Sequence, residues 1–539
     1  MASKHIKNDY TIDYTNTANE EYSTTAVAYS TTTSTEQVVT TTNFSSQSMN
    51  SWNYQPEESN ESQGMMGRSV AIVNSSKILV GVPHKNHAGY TLPPGDVGSV
   101  FEYTYTEGVT DINGSPWIER TELSGNLSLM NPNSGRMFFG TALAARDSYV
   151  AVGAPGQDSP GNTQQNHGAV YIFKSSSSGY AEEAMLTPQD ALSHGYLFGG
   201  VLTFDKISNR LAVHGTGMND VYIFNSGSSG WQRESIITAS ANLYDEYTQF
   251  GHSLALSGAY LAVGAPRDRP NNINNLNVGS VLVYKSSSVG WSEITYISSS
   301  TPLYNGLFGL SLEIMSNKRI IVGEPEGHPS NNKTGSVEII GFDDLGNYTR
   351  LQIIENPRDS NYGAFGRNIS AYDNGEFIAI SRPLSNDNGT DIGNPEGHRA
   401  IFIYESSGTN NWILSGTLTR DQSLATYYAN TPGAWFYGTS NAKSGFHVPL
   451  DVKDGVVLLG VEGASDSNYR RSSFYGYSFG EFRTWKTEVT TTTVTTKTTT
   501  TSTRPGGRIP FRFSTPGLYN IRGQSTEKHH KTFIGERKS

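Results

Sequence analysis

The residues of this chain that could do chemistry are few, and their spacing argues against a catalytic constellation. The pentapeptide Gly-His-Ser-Leu-Ala (251–255) approaches a nucleophile elbow, but Ala255 stands where the second glycine belongs. Ser253 also has counterparts in Ser69 and Ser311 within similar surroundings, which marks it as a repeated structural position. No His-Glu-x-x-His, phosphate-binding loop or dinucleotide fingerprint occurs. Cysteine is absent, which excludes disulfides, thiolate metal sites and cysteine nucleophiles. His84, His87, His167, His328 and His398 fall in variable loops. They could converge on a metal, though solvent-facing loop histidines are the commoner case. His529 and His530 stand without evident partners, and Asn126 and Asn347 head glycosylation-type triplets that carry meaning only in a secreted chain. "NDNGTD" (386–391), with Asp387, Asn388 and Asp391, is the nearest thing to a cation loop, and a polar turn accounts for it better. The expectation is no enzyme, no metal and no cofactor.

What must position these residues is a repeat. "FGHSLALSGAYLAVGAP" begins at Phe250, and related stretches begin at Met66, Phe139, Phe198, Phe308, Phe365 and, in degraded form, Gly445. Each continues through a variable loop to an apolar run such as "GSVFEY" (98–103) or "GSVLVY" (279–284). The seventh such run is "SFYGYSF" (473–479). A polar turn then leads to an aromatic opening one more strand: Trp117, Tyr180, Trp231, Trp291, Tyr348, Trp412 and Trp485. In "YLAVGA" successive side chains are apolar on both strand faces, so both faces are covered. Low charge (16%), 11% aromatics and 56 glycines agree with an all-β, turn-rich chain. Seven such units predict a seven-bladed β-propeller of four-stranded antiparallel blades, with extended N- and C-terminal arms. The Phe of each Phe-Gly is expected to wedge between blades.

These motifs resemble the FG-GAP repeats of the integrin α-subunit head and of bacterial and viral surface proteins. The resemblance spans about residues 64–489 and implies a propeller with ligand recognition on its loop face. Integrin-type repeats often hold calcium between the first two strands. Here that position carries short turns such as Ser257-Gly258-Ala259, Arg146-Asp147-Ser148 and Asn74-Ser75-Ser76, too poor in carboxylates for a hard cation. The chain therefore looks like a calcium-free branch.

The expected organisation is a Ser/Thr-rich arm (1–50), the propeller (51–486), a Thr-rich linker (487–503) and a basic, aromatic-containing docking tail (504–539). The Thr tracts read as linkers or as arms that become strands on a neighbouring subunit. "SWNYQ" (51–55) could close the last blade from outside, or that blade could be completed from its own C-terminal side. The tail carries eight Lys/Arg and two Glu in a chain of net charge −10. Its Arg508, Phe511, Arg512, Phe513, Tyr519 and Arg522 are the assembly candidates. On the loop face the candidates are Lys85, His87, Asp158, Arg267, Asp268, Arg269, Asp387 and Asp391, which loops on a rigid frame could present to a partner.

The first residues, "MASKHIKNDYTIDYTN", lack the apolar core of a standard signal peptide, and no apolar run is long enough to span a bilayer. The functional expectation is a non-enzymatic binding or assembly protein, a virion or phage structural component that recognises protein or glycan. It would sit on a virion or extracellular surface, and inside the cell before assembly. Partners would be protein neighbours and host-surface protein or glycan, with no nucleic-acid motif and no membrane span. The alternatives are a non-classically exported adhesin and a propeller hydrolase or lyase with a central-channel site.

Overall fold

A computed structural model describes most of residues 66–461, apart from several loop segments, together with strands Val27–Thr41, Asn50–Tyr54, Glu481–Lys486 and Val489–Thr503. Two compact units are present: residues 41–489, and residues 1–40 with 490–539. The larger is a β-propeller of four-stranded antiparallel blades. No described helix is long and apolar enough to cross a membrane.

Six blades are each built from four consecutive strands, innermost first. In blade 4 these are Ser253–Ser257, Tyr260–Ala265, Ser280–Ser287 and Gly290–Ser298. Blade 1 runs from Val70 to Leu123, blade 2 from Ala142 to Leu186, and blade 3 from Phe198 to Thr238. Blades 5 and 6 run from Ser311 to Glu355 and from Ile369 to Leu418. First strands of successive blades lie side by side. Antiparallel order puts the first-to-second and third-to-fourth turns on one face. The long second-to-third loops, and the crossings between blades, lie on the other, the loop face.

The second strand is the apolar run that the sequence places between two covered faces. In blade 4, Leu261 to Ala265 are all buried. The Phe of each Phe-Gly pair fills the seam between blades. Phe139 packs among Leu79, Val97 and Val100 of blade 1 and Val150, Val152 and Tyr171 of blade 2. Phe198, Phe250, Phe308 and Phe365 are equally enclosed, none more than 1% exposed. Four of the wedges meet an aromatic of their own third strand edge-on, as Phe139 does Tyr171 with centroids 5.5 Å apart.

Backbone closes the rest of the seam. Gly98 bridges Phe139 across blades, as Gly168 does Phe198 and Gly279 does Phe308. The glycine of the Gly-Ala-Pro corner lies against the carbonyl of the next blade's Phe-Gly. A Cβ on Gly264 would overlap Gly309 O, and one on Gly323 would overlap Gly366 O. The Ser253 hydroxyl donates to Gly309 O at 2.7 Å, Ser311 to Gly366 O at 2.7 Å and Ser69 to Gly140 O at 2.6 Å. The serine that mimicked a nucleophile is a seam hydrogen bond.

At the outer rim three aromatic openers of the fourth strands, Tyr180, Trp231 and Trp291, grip the preceding blade. The Tyr180 hydroxyl donates to Glu102 at 2.6 Å, and Trp231 meets Tyr149 edge-on. Trp291 Nε1 donates to Glu234 at 3.0 Å beneath the Arg210 guanidinium. A feature hidden from the sequence recurs in all six blades. One extra residue bulges the fourth strand against the third, for example Glu234 in blade 3 and Ile294 in blade 4. The bulged Glu234 is the one that reaches Trp291.

A further four-stranded sheet is composite, in the order Asn50–Tyr54, Glu481–Lys486, Val456–Val461, Leu450–Lys453. Here the sequence reading needs correction. Trp485 does not open a fourth strand; it lies in the third, paired with Val457 on one side and Ser51 on the other. The fourth strand comes from the segment containing Ser51–Tyr54, the outside closure. Residues 473–479, expected as the third strand, lie outside the described residues. Val457 and Leu459 pack against Phe377, Ala379 and Ile401 of blade 6, while Val456 and Leu458 pack against Val70, Ile72 and Val80 of blade 1. The Asp451 carboxylate accepts from Ile72 N at 2.7 Å, and Lys453 Nζ donates to Val73 O at 3.0 Å.

In the smaller unit, Val27–Thr41 and Val489–Thr503 pair as a two-stranded ribbon. The tracts expected as linkers, or as arms for a neighbouring subunit, thus pair with each other, in keeping with the extended preference of β-branched threonine.

Truncating Phe250 to Ala should cost about 3–5 kcal/mol in denaturant unfolding; a loss below about 1 kcal/mol would remove its wedge role. Deleting residues 1–54 should lower the melting temperature relative to deleting residues 1–49, because it strips the outer strand and bares the edge of Glu481–Lys486. Equal melting of the two truncations would show that strand to be dispensable.

Candidate functional site on the loop face

The loops that follow the Gly-Ala-Pro-like corners are pinned in one recurring way. The residue three after the corner donates its N–H back to the corner carbonyl: Lys85 to Val82, Gln157 to Ala154, Met218 to Gly215 and Asp268 to Ala265. In three of these loops its own carbonyl then receives the N–H of the glycine that opens the third strand: Gly98, Gly168 and Gly279. Each of those loops leaves and re-enters the blade through a fixed backbone gate at the loop face.

That gate turns several sequence candidates inward. Asp268 is fully buried and accepts the Tyr296 hydroxyl. Lys85 pairs with Glu122 at 3.1 Å and lies over the Phe101 ring. His87 Nε2 sits 2.8 Å from Ser99 Oγ and 3.1 Å from Gly98 O. Burial works against ionisation of Glu122, but the Ser99 hydroxyl, Lys85 and His87 together hold its carboxyl below the ordinary value. Lys85 and His87 are therefore brought together, around Glu122. Asp158, also buried, accepts the Asn166 N–H at 3.1 Å on blade 2. Arg267 donates its backbone N–H to Thr248 O, and Arg269 follows in the same loop. Asp387 and Asp391 lie outside the described residues, as do the tail candidates Arg508, Phe511, Arg512, Phe513, Tyr519 and Arg522.

Among the described residues, the loop histidines do not gather. His84 pairs with Asp96 at 3.1 Å and packs on Phe138, while His167 is buried on blade 2. His328 and His398 lie outside the described residues. Among the described residues, no three His, Cys, Asp or Glu side chains are grouped to hold a metal. In the first-to-second turn of blade 3, Asp205 spends its carboxylate on Ile207 N, Gly258 N and the Ser208 hydroxyl.

Sequence reasoning missed a second set of polar groups, buried at corners where other blades carry small or apolar residues. Glu324 replaces the corner alanine in blade 5 and Arg382 replaces it in blade 6; neither is more than 1% exposed. Glu324 Oε2 accepts the Ser299 hydroxyl at 2.9 Å, while Oε1 lies against Gly306 with no hydrogen-bond partner. Burial pushes its carboxyl up to about 8, with the charge of Glu338 adding and Ser299 and Arg350 opposing. His214, at the strand position that is glycine in most other blades, is held down to about 4 by burial. The signal was available: each breaks a repeated Gly-Ala-Pro.

Residues 133–173 and 231–284 match the family model described as the FG-GAP repeat. The chain carries FG-GAP repeats. The matched segments fall in blades 2, 3 and 4. No curated protein matches the chain. Among solved structures, one similar to it is a protein from Lactobacillus plantarum, at 13% identity and TM-score 0.40, covering 65% of this chain and 84% of that one. A proposed 6-phosphogluconolactonase from Bacteroides uniformis is similar at 9% identity and TM-score 0.39, covering 66% and 86%. Its counterpart from Bacteroides fragilis is similar at 10% identity and TM-score 0.37, covering 66% and 87%. Likenesses this distant carry nothing about activity or ligand.

Because Glu324 keeps its proton in the fold to about pH 8 and gives it up near 4.5 when unfolded, its contribution is fully present below the ordinary carboxylate range. It is lost as pH rises toward 8. Glu324→Gln should flatten the decline in melting temperature across that window. A variant that tracks the wild-type profile would show Glu324 already ionised in the fold.

Proposed function

We propose that this chain is a non-enzymatic binding and assembly protein whose loop face recognises a protein or glycan partner. The observation that carries the reading is the paired backbone gate at Lys85, Gln157 and Asp268, which fixes where loops of unlike sequence leave and re-enter one face of the frame. In this reading the composite sheet is the seventh blade of a closed ring, supported by Asp451 and Lys453 bonding to blade 1. The first-to-second turns hold the blades without calcium, supported by Asp205 being engaged by three protein donors. The Thr-rich strands and the basic tail anchor the chain among protein neighbours of a larger particle, a virion or phage-like assembly at the cell exterior.

Exchanging residues 160–165 and 271–276 for Gly-Ser segments of equal length should abolish capture of the partner from a host-surface protein and glycan panel. Melting temperature should stay unchanged, because the gates remain. Undiminished capture by the folded double-loop variant would overturn the loop-face reading.

A further inference from the structure

The outermost strands of the propeller are sheet edges, and the chain protects them. Each fourth strand of blades 1 to 6 carries a bulge against the third. All six are short, seven to nine residues. Five of the six also carry charge, as Glu182 and Glu183 do in Gly179–Leu186 and Arg233 and Glu234 do in Gly230–Thr238. Short, bulged and charged strands are how a sheet keeps other chains from adding to its rim.

The Thr-rich ribbon is built the opposite way. Its strands, Val27–Thr41 and Val489–Thr503, are 15 residues each, longer than any other described strand. Glu36 and Lys497 are their only charges, and neither strand contains Pro or Gly. The sheet has two strands, so each pairs along one edge, and among the described residues no third strand takes the other. At about 3.3 Å per residue each open edge runs roughly 50 Å. Alternate residues along it direct their N–H and C=O groups outward, about seven of each per edge. A two-stranded ribbon is marginal by itself in water, and further strands are what stabilise one.

We propose that this ribbon is a self-association surface, on which the ribbons of further copies of this chain add edge to edge to form a closed oligomer. The assignment deepens the anchoring reading above, names the first of its protein neighbours and rests on it. The edges themselves select the partner. An occupant has to offer an extended edge of matching length, and another copy brings two. Val, Thr and Ser dominate both strands, a composition that favours strand pairing. One Glu and one Lys leave each ribbon neutral, so copies meet without net repulsion. Ribbons with two unlike edges join head to tail, and such contacts close into a ring when the rotation permits. Closure leaves no edge exposed.

The test is the mass of the full chain in solution, by sedimentation equilibrium and light scattering. It should be a whole multiple, at least twofold, of 58.7 kDa. Deleting residues 1–49 removes one ribbon strand, keeps Asn50–Tyr54 for the composite sheet, and should give the monomer. Deleting residues 504–539 should leave the oligomer intact. Thr33→Lys combined with Thr496→Lys places on the ribbon the charge that the blade edges carry, and should weaken association by about tenfold. The melting transition of the propeller checks that each variant is folded. An oligomer that survives loss of residues 1–49, one that is lost with residues 504–539, or unchanged association of the double lysine variant would overturn the proposal. A monomeric full chain would overturn it as well. If that monomer still co-purified with other particle proteins through residues 1–49, self-pairing would fall and the anchoring reading would stand.

Discussion

Everything in the propeller depends on how closely two neighbouring blades can approach at the Phe-Gly edge. The phenylalanine supplies the apolar volume that makes the approach worthwhile, and the glycines remove the Cβ atoms that would prevent it. The hydroxyls of Ser69, Ser253 and Ser311 then satisfy carbonyls that the approach would otherwise strand in an apolar seam. These parts are interdependent. Without the aromatic a void opens, and without the glycine the backbones collide. The backbone also accepts strain here. Phe138, Leu197, Gln249, Leu307 and Ala364, each just before the wedge, take positive φ between 52° and 60°. A conformation that side chains disfavour is repeated five times because it delivers the ring into the seam.

The repeat made most of this legible in the sequence. Phe-Gly, Gly-Ala-Pro and the strand-opening aromatics each mark a place where chain meets chain, so their recurrence reports the frame directly. The repeated Ser253 position was legible as structural for the same reason. What escaped is what does not repeat, or what repeats without a residue signature. The fourth-strand bulges fall on Arg120, Glu183, Glu234, Ile294, Leu351 and Ser415, which share no chemistry. Trp485 carried the mark of a fourth strand yet pairs as a third, because the register is set by Val456–Val461 beside it.

The candidate site was less legible than the frame. Charged residues just past a corner read as exposed, but the gate consumes the backbone of Lys85 and Asp268 and aims their side chains at Glu122 and Tyr296. Glu324, Arg382 and His214 announce themselves as breaks in a motif, yet their burial and the direction of their side chains belong to the fold alone.

The composite sheet has a consequence for the order in which the molecule can be made. Blades 1 to 6 each use contiguous chain and can form as they leave the ribosome, one against the next. The sheet joining Asn50–Tyr54 to Glu481–Lys486 cannot form until nearly the whole polypeptide has been synthesised. Until then the apolar flanks of blades 1 and 6 both wait uncovered, and an early strand from one molecule could meet a late strand from another. That joint is therefore a place where two nascent chains could exchange partners.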